Sequence, residues 1–305
     1  IDLALKYNVL DNIGVDLVAM SVNDLYVHGV EPTYFLDYLA LDRMDVELCK
    51  RMINSIRKGC KIANCHLVGG ETAEMRGMYR SNKCDLGGFA VGKCIDGGCT
   101  GIDNRRDYIE PGCLLFGLPS NGVHSNGFTL VNDLVNQCNL NSELRGRCNL
   151  MSASKIRNLL APTRIYSEIP VILQNPELRD NILGMAHITG GGFPDNVHRV
   201  LCRSSYKNEN EHSSPLTYDL NFELNDMFPY LSEYAKEHQI NSGVREVSQL
   251  YTWVHKMTRC SMEDMFRTFN CGIGMVFVMK KGVDMSVFEK FGYNEFIPLG
   301  EVVER

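Results

Sequence analysis

The stretch 66–75, His-Leu-Val-Gly-Gly-Glu-Thr-Ala-Glu-Met, constrains this chain more than any other. An apolar run enters two adjacent glycines and leaves through Glu71 and Glu74, which flank Thr72 and Ala73. Paired glycines let a backbone turn sharply and approach a ligand closely. Carboxylates at a strand-to-loop junction are hard oxygen ligands of the kind Mg²⁺ takes when it accompanies a nucleotide. The competing reading of the local string is a surface turn with two solvated acids.

The chain has 305 residues, enough for one large domain or two ordinary ones with a sizeable core. No run approaches 18 consecutive apolar residues, so no membrane span is expected. The start at Ile1 has neither an initiator Met nor the basic and apolar regions of a secretory signal. It reads as a chain that begins inside a longer protein. A net charge of −6 without a basic run argues against a nucleic-acid surface. The polar patch 206–214 reads as a solvated loop.

Twelve cysteines suggest a disulfide framework until their settings are read. Cys49, Cys60, Cys65, Cys94, Cys113 and Cys271 sit in apolar-periodic segments, where free Cys behaves as a small hydrophobe. No C-x-x-C occurs. The expectation is twelve reduced thiols in a cytoplasmic protein.

The periodicity predicts a helix over 15–29, a strand over 33–41 after Pro32, and a helix over 46–63. The Gly-Gly-Glu strand follows, then a strand over 85–92. Residues 95–112 hold four glycines and one proline and form the candidate linker. Beyond it come a strand at 113–118, helices at 126–137 and 163–174, a strand at 182–189 and a helix at 192–202. Residues 203–246 read as less regular, and 272–280, 284–291 and 296–303 close the chain as strand, helix, strand. This is a mixed α/β (α+β) chain of two domains, 1–98 and 99–305.

Four further clusters carry chemistry. Asn23 and Asp24 close the first helix and offer an amide and an acid to a cation shared with Glu71, with helix capping as the alternative. Residues 120–127 run from a strand through a polar turn to a helix N-terminus, an anion-binding arrangement. His124 there is a proton carrier or ligand donor, and Ser125 and Asn126 either contact ligand or cap the helix. Thr189, Gly190, Gly191 and Gly192 repeat that arrangement, since three consecutive glycines are costly unless the backbone must approach something closely. Arg267 and Asn270 precede a buried strand and reach towards a ligand, whereas Cys271 reads as packing. His28, His198, His238 and His255 have no partner at useful spacing and read as surface residues. Neither G-x-x-x-x-G-K-[ST] nor G-x-G-x-x-G occurs.

Taken in order, residues 14–24, 35–38, 69–75, 124–127, 161–166, 186–193 and 265–275 closely resemble the aminoimidazole ribonucleotide synthetase (phosphoribosylformylglycinamidine cyclo-ligase) family. The resemblance covers most of the chain outside 203–246. It implies a ligase of purine biosynthesis in which ATP phosphorylates the formyl amide oxygen of formylglycinamidine ribonucleotide. An internal nitrogen then attacks, and phosphate leaves as the imidazole closes. It further implies Mg²⁺, a homodimer built through N-terminal sheets, and a site in the cleft between domains. On that basis Asp24 and His124 are catalytic, and Asp24 and Glu71 hold the metal. Asn23, Gly69, Gly70, Glu71 and Thr72 face the nucleotide. Ser125, Asn126, Thr189, Gly190, Gly191, Gly192, Arg267 and Asn270 face substrate or phosphate. Three features depart from the family pattern: no Asp-Gly-Val-Gly-Thr-Lys segment precedes Ile1, Arg76 stands where Pro usually follows Glu-Met, and 203–246 is long and polar. Two other readings stand beside this one: a different small-molecule-phosphorylating member of the same superfamily, and a non-catalytic domain.

Overall fold

The computed structural model describes residues 1–80, 83–95, 102, 105–140, 153–202, 216–240 and 243–305. Its N-terminal part runs α1 (Asp2–Tyr7), α2 (Ile13–Val27), β1 (Val30–Leu41), α3 (Val46–Ile62), β2 (His66–Glu74) and β3 (Cys84–Cys94). Asp45 opens α3 by accepting the Leu48 N–H, a side-chain N-cap ahead of an apolar face. The sheet order is β2-β1-β3, with β1 and β2 parallel around the α3 crossover and β1 and β3 antiparallel. Alternation along β1 sends Phe35 and Leu39 inward, beneath α2 and α3. Tyr34, Leu36 and Tyr38 point to the other face, which no element covers among the described residues.

The C-terminal part contains β4 (Leu114–Pro119), α4 (Phe128–Leu140), α5 (Ala153–Leu159), α6 (Ile169–Gln174), α7 (Pro176–Arg179), β5 (Ile182–His187) and α8 (Gly192–Leu201). It continues through β6 (Leu216–Leu220), α9 (Met227–Glu237), α10 (Val244–Thr258), α11 (Met262–Thr268), β7 (Ile273–Met279), α12 (Ser286–Lys290) and β8 (Ile297–Glu304). The antiparallel sheet has the order β5-β7-β4-β8-β6. Its inner strand β7, flanked by β5 and β4, is buried along its whole length, which is why it reads as an unbroken apolar run. One apolar core joins Val18, Val22 and Phe35 of the first part to Phe116, Ile165 and Tyr166 of the second.

Several expectations need correction. β2 does not end at the glycines but continues through Glu74, because each residue from Gly69 to Glu74 pairs with β1. Residues 163–166 are not helical and 167–168 form a turn; the Thr163 and Tyr166 N–H groups go to Asp16 and Asn23 of the N-terminal part, so α6 begins only at Ile169. The irregular region contains β6 and α9, and α10 and α11 follow it. Residues 206–214 and the boundary at 98 lie outside the described residues. Cys94 and Cys138 each take part in a disulfide, so a fully reduced set of twelve fails there, while Cys49, Cys60, Cys65, Cys84, Cys113, Cys202, Cys260 and Cys271 are free thiols.

Candidate active site

Helix α2 lies between the two sheets, and its last turn reaches the C-terminal end of β5. There Asp24 Oδ1 lies 2.8 Å from His187 Nδ1. His187 is buried, whereas 65% of the Asp24 side chain is exposed. Asn23 Nδ2 donates to the Arg164 carbonyl at 2.8 Å and faces His187 Nε2 at 3.3 Å, while Asn23 Oδ1 accepts the Tyr166 N–H. With Nε2 accepting from Asn23, the His187 proton sits on Nδ1 and is donated to Asp24. His187 therefore aims an open carboxylate, and Asn23, buried and fully bonded within the protein, is not available to a nucleotide.

Sequence reasoning missed His187. The signal was present in a lone imidazole on the final residue of an apolar strand, directly before a glycine loop.

His124 adopts a left-handed conformation (φ 53°) and is 1% exposed. Its Nε2 accepts N–H groups from Asn121 (2.9 Å) and Arg164 (3.2 Å), joining loops 121–127 and 161–166. Burial, and then the nearby His187 and Arg164, hold its pKa well below the usual imidazole range. Through Nε2, His124 positions the two loops, while its buried Nδ1 has no hydrogen-bond partner among the described residues. Asn126 Nδ2 donates to the His124 carbonyl, and Asn126 Oδ1 turns towards Gly190, so the two predicted ligand loops do meet.

The three glycines divide by role. Gly191 (φ +89°) and Gly192 (φ +62°) need left-handed backbone, and a Cβ would meet Asp195 on the first and the α11 backbone on the second. Close packing accounts for those two. Gly190 is open, and the Gly190 and Gly191 N–H groups donate to nothing among the described residues. Thr189 and the glycine carbonyls are gathered by the Asn196 side chain.

The remaining candidates separate from this cluster. Asn270 is buried and takes Ser120 Oγ–H, Tyr251 O–H and the Gly272 N–H on Oδ1 while donating to the Gly122 carbonyl. It supports the loop and cannot also hold a phosphate. Arg267 is exposed beside the start of α8. Gly70 passes beneath the Asp37 side chain, with which a Cβ would collide. Glu71 pairs with Tyr38 and so shares the outer sheet face with it, as Gly69 does with Leu36. Asp24 belongs to the helix on the inner face. The predicted Asp24–Glu71 metal pair therefore does not converge within one chain, and Gly69, Gly70, Glu71 and Thr72 form no loop around a ligand. Among the described residues no group of three or more His, Cys, Asp or Glu side chains is placed to hold a metal ion.

Comparison with known proteins now decides the family. Residues 2–94 match the AIR synthase related protein N-terminal domain, and residues 110–305 match the corresponding C-terminal domain. The chain belongs to the AIR synthase family. A phosphoribosylformylglycinamidine cyclo-ligase of Chromobacterium violaceum is 39% identical over 284 residues, covering 91% of this chain and 68% of the relative. A second, from Methylobacillus flagellatus, is 38% identical over 280 residues with the same two coverages. The fold resembles that of E. coli HypE, a hydrogenase maturation protein, with TM-score 0.58 and 15% identity over 96% of this chain and 74% of that one. A thiamine-monophosphate kinase from Stenotrophomonas maltophilia gives TM-score 0.55 at 14% identity, over 97% of this chain and 77% of that one. Within this AIR synthase fold, the seam between the two parts carries Asp24, His187 and both glycine-containing loops.

Proposed function

We propose that the chain is the catalytic body of an ATP-dependent cyclo-ligase that converts formylglycinamidine ribonucleotide to aminoimidazole ribonucleotide, releasing ADP and phosphate. The observation that carries this reading is the open Asp24 carboxylate, aimed at the seam by buried His187, which lies at the strand end leading into the loop of open Gly190 and Gly191 amides. Phosphoryl transfer asks a protein mainly for positioning and charge stabilisation. The two amides suit the phosphoryl oxygens, and Asp24 suits the cation that travels with ATP.

A single exposed carboxylate fits Mg²⁺, which keeps several waters and binds through one or two carboxylates plus substrate phosphates. Asp24 would hold it, and its charge would offset that of the phosphates. Asn126 faces the substrate where the two loops meet, and His124 fixes the separation of those loops. The working division remains 1–98 and 99–305, with the site on the seam, and the enzyme is assigned to the cytoplasm.

A homodimer is also proposed. The outer sheet face exposes Tyr34, Leu36, Tyr38, Val68, Phe89 and Val91 together, with Phe89 69% and Val91 55% exposed. Contiguous apolar patches of this kind mark protein–protein contacts.

The test uses the purified protein with formylglycinamidine ribonucleotide and ATP. The expected result is one ADP and one phosphate per aminoimidazole ribonucleotide formed. ATP turnover on other small substrates without ring closure on this one overturns the reading in favour of another phosphorylating activity.

A further inference from the structure

Helix α3 runs out through a left-handed residue, Asn64 (φ 54°). The Cys65 N–H donates back to the Cys60 carbonyl at 2.9 Å, and the Asn64 N–H to the Lys61 carbonyl at 3.3 Å. These two bonds close the helix in a Schellman motif, whose first and last side chains pack against each other. Here both of those positions are cysteine, and both are free thiols. The 2.9 Å bond, with the ordinary bond lengths on either side of it, holds the two Cα atoms within about 6.8 Å. A disulfide spans Cα atoms about 4.4–6.8 Å apart, so one reaches across this turn.

The surroundings favour reaction between these two sulfurs. Cys60 (3% exposed) and Cys65 (8% exposed) share an apolar cluster with Val18, Ile56 and Ala63. Their titration is mutual: each sulfur is the leading cause of the other's shift, upward at Cys60 and downward at Cys65. The turn that joins them lies at the surface, with Lys61, Ile62 and Asn64 exposed. Local opening of such a helix end costs far less than global unfolding and admits a small oxidant.

We propose that Cys60 and Cys65 are a reversible redox pair, converted by hydrogen peroxide to a disulfide that fastens the end of α3 to the entry of β2. The Cys65 thiolate attacks one peroxide oxygen, the O–O bond breaks, and hydroxide departs from what is now a sulfenic acid on Cys65. The Cys60 sulfur attacks that sulfur, and the S–O bond breaks as the S–S bond forms. The Cys60 proton leaves with the second hydroxide as water. Two thiols are oxidised and one peroxide is reduced to two waters. The pairing stands independently of the cyclo-ligase reading.

The test uses the folded wild-type protein, so no variant has to fold. It is treated with hydrogen peroxide, its remaining thiols are alkylated in denaturant, and it is digested with trypsin. Cleavage after Lys61 separates the two cysteines into fragments 59–61 and 62–76. The expected result is that at least half of these fragments are recovered joined to each other, lighter by two hydrogens than the separate pair. Dithiothreitol before alkylation should return both as alkylated thiols. Fragments that stay alkylated after peroxide, that carry added oxygen on separate cysteines, or that are joined to other cysteines overturn the proposal.

Discussion

Asp24 Oδ1 and His187 Nδ1 lie 2.8 Å apart, joining the last turn of α2 to the end of β5 across the seam of the molecule. The carboxylate end is open to solvent and the imidazole end is buried. Since the Asp24 end is open to water, this hydrogen bond contributes only about 0.5–1.5 kcal/mol to stability. Asp24→Asn and His187→Gln should therefore lower kcat at least 100-fold while shifting Tm only slightly. Wild-type turnover in Asp24→Asn at saturating Mg²⁺ and ATP would remove Asp24 from the metal-nucleotide role.

The glycine loop should separate by position. Gly191→Ala places a Cβ at φ +89° and against Asp195, so it should destabilise by about 1–3 kcal/mol in urea unfolding. Gly190→Ala meets nothing closer than Asn126 Oδ1 at 4.0 Å and should leave stability nearly unchanged. Its effect is expected in nucleotide or substrate affinity, read by isothermal titration. A Gly190→Ala protein with unaltered affinity for both would take the open amides out of the site.

Asn270→Ala should unfold the protein more readily than any substitution at the exposed Arg267. It strands Ser120, Tyr251, the Gly272 N–H and the Gly122 carbonyl inside the protein. Each buried group left unpaired costs about 1–3 kcal/mol. Thermal melts of the two variants side by side check this, and a mild Asn270→Ala would return Asn270 to the ligand contacts.

Asp16 also sets a pH dependence. Its folded pKa of about 6 lies above the ordinary 3.8, so between those values the folded state holds a proton that the unfolded state has lost. The stabilisation from this group is complete below about pH 4 and is lost as pH rises through 6, an effect of up to about 3 kcal/mol. Asp16→Asn should flatten that part of the stability curve and raise Tm at pH 8. A variant less stable than wild type at pH 8 would mean that the charge itself holds the fold together.

The outer sheet face supplies a test of assembly. Phe89→Glu puts a charge in the middle of the apolar patch and should convert a dimer to a monomer in sedimentation, with the monomer still folded. An unchanged sedimentation coefficient would show that the patch is not the contact.

The sequence was most legible where one force dominates. The apolar periodicity of α3 and the continuous hydrophobic run of β7 each have one solution, and the structure adopts it. The Gly69-Gly70 pair misled because glycine also serves a strand that must pass under a neighbour's side chain, here Asp37, and nothing local distinguishes that from a turn. Asn270 and Asn23 looked like ligand groups because key hydrogen-bond partners, Ser120 and Gly122 for Asn270 and Arg164 for Asn23, lie more than 140 residues away in sequence. The loops 121–127 and 189–192 were recognised and do come together. What could not be read was that His124 faces inward while His187 aims the acid, since burial is a property of the assembled fold.

Asn23 carries a consequence for how the molecule opens. Through one side chain it ties the N-terminal helix to the Arg164 and Tyr166 backbone and to His187, inside a core shared by both sheets. Swinging the two sheets apart would break all three contacts and wet that core, so opening about this seam costs the packing that joins the two parts. For the same reason, cutting the chain between the two matched segments should yield halves that do not fold apart, and unfolding should proceed as a single cooperative event.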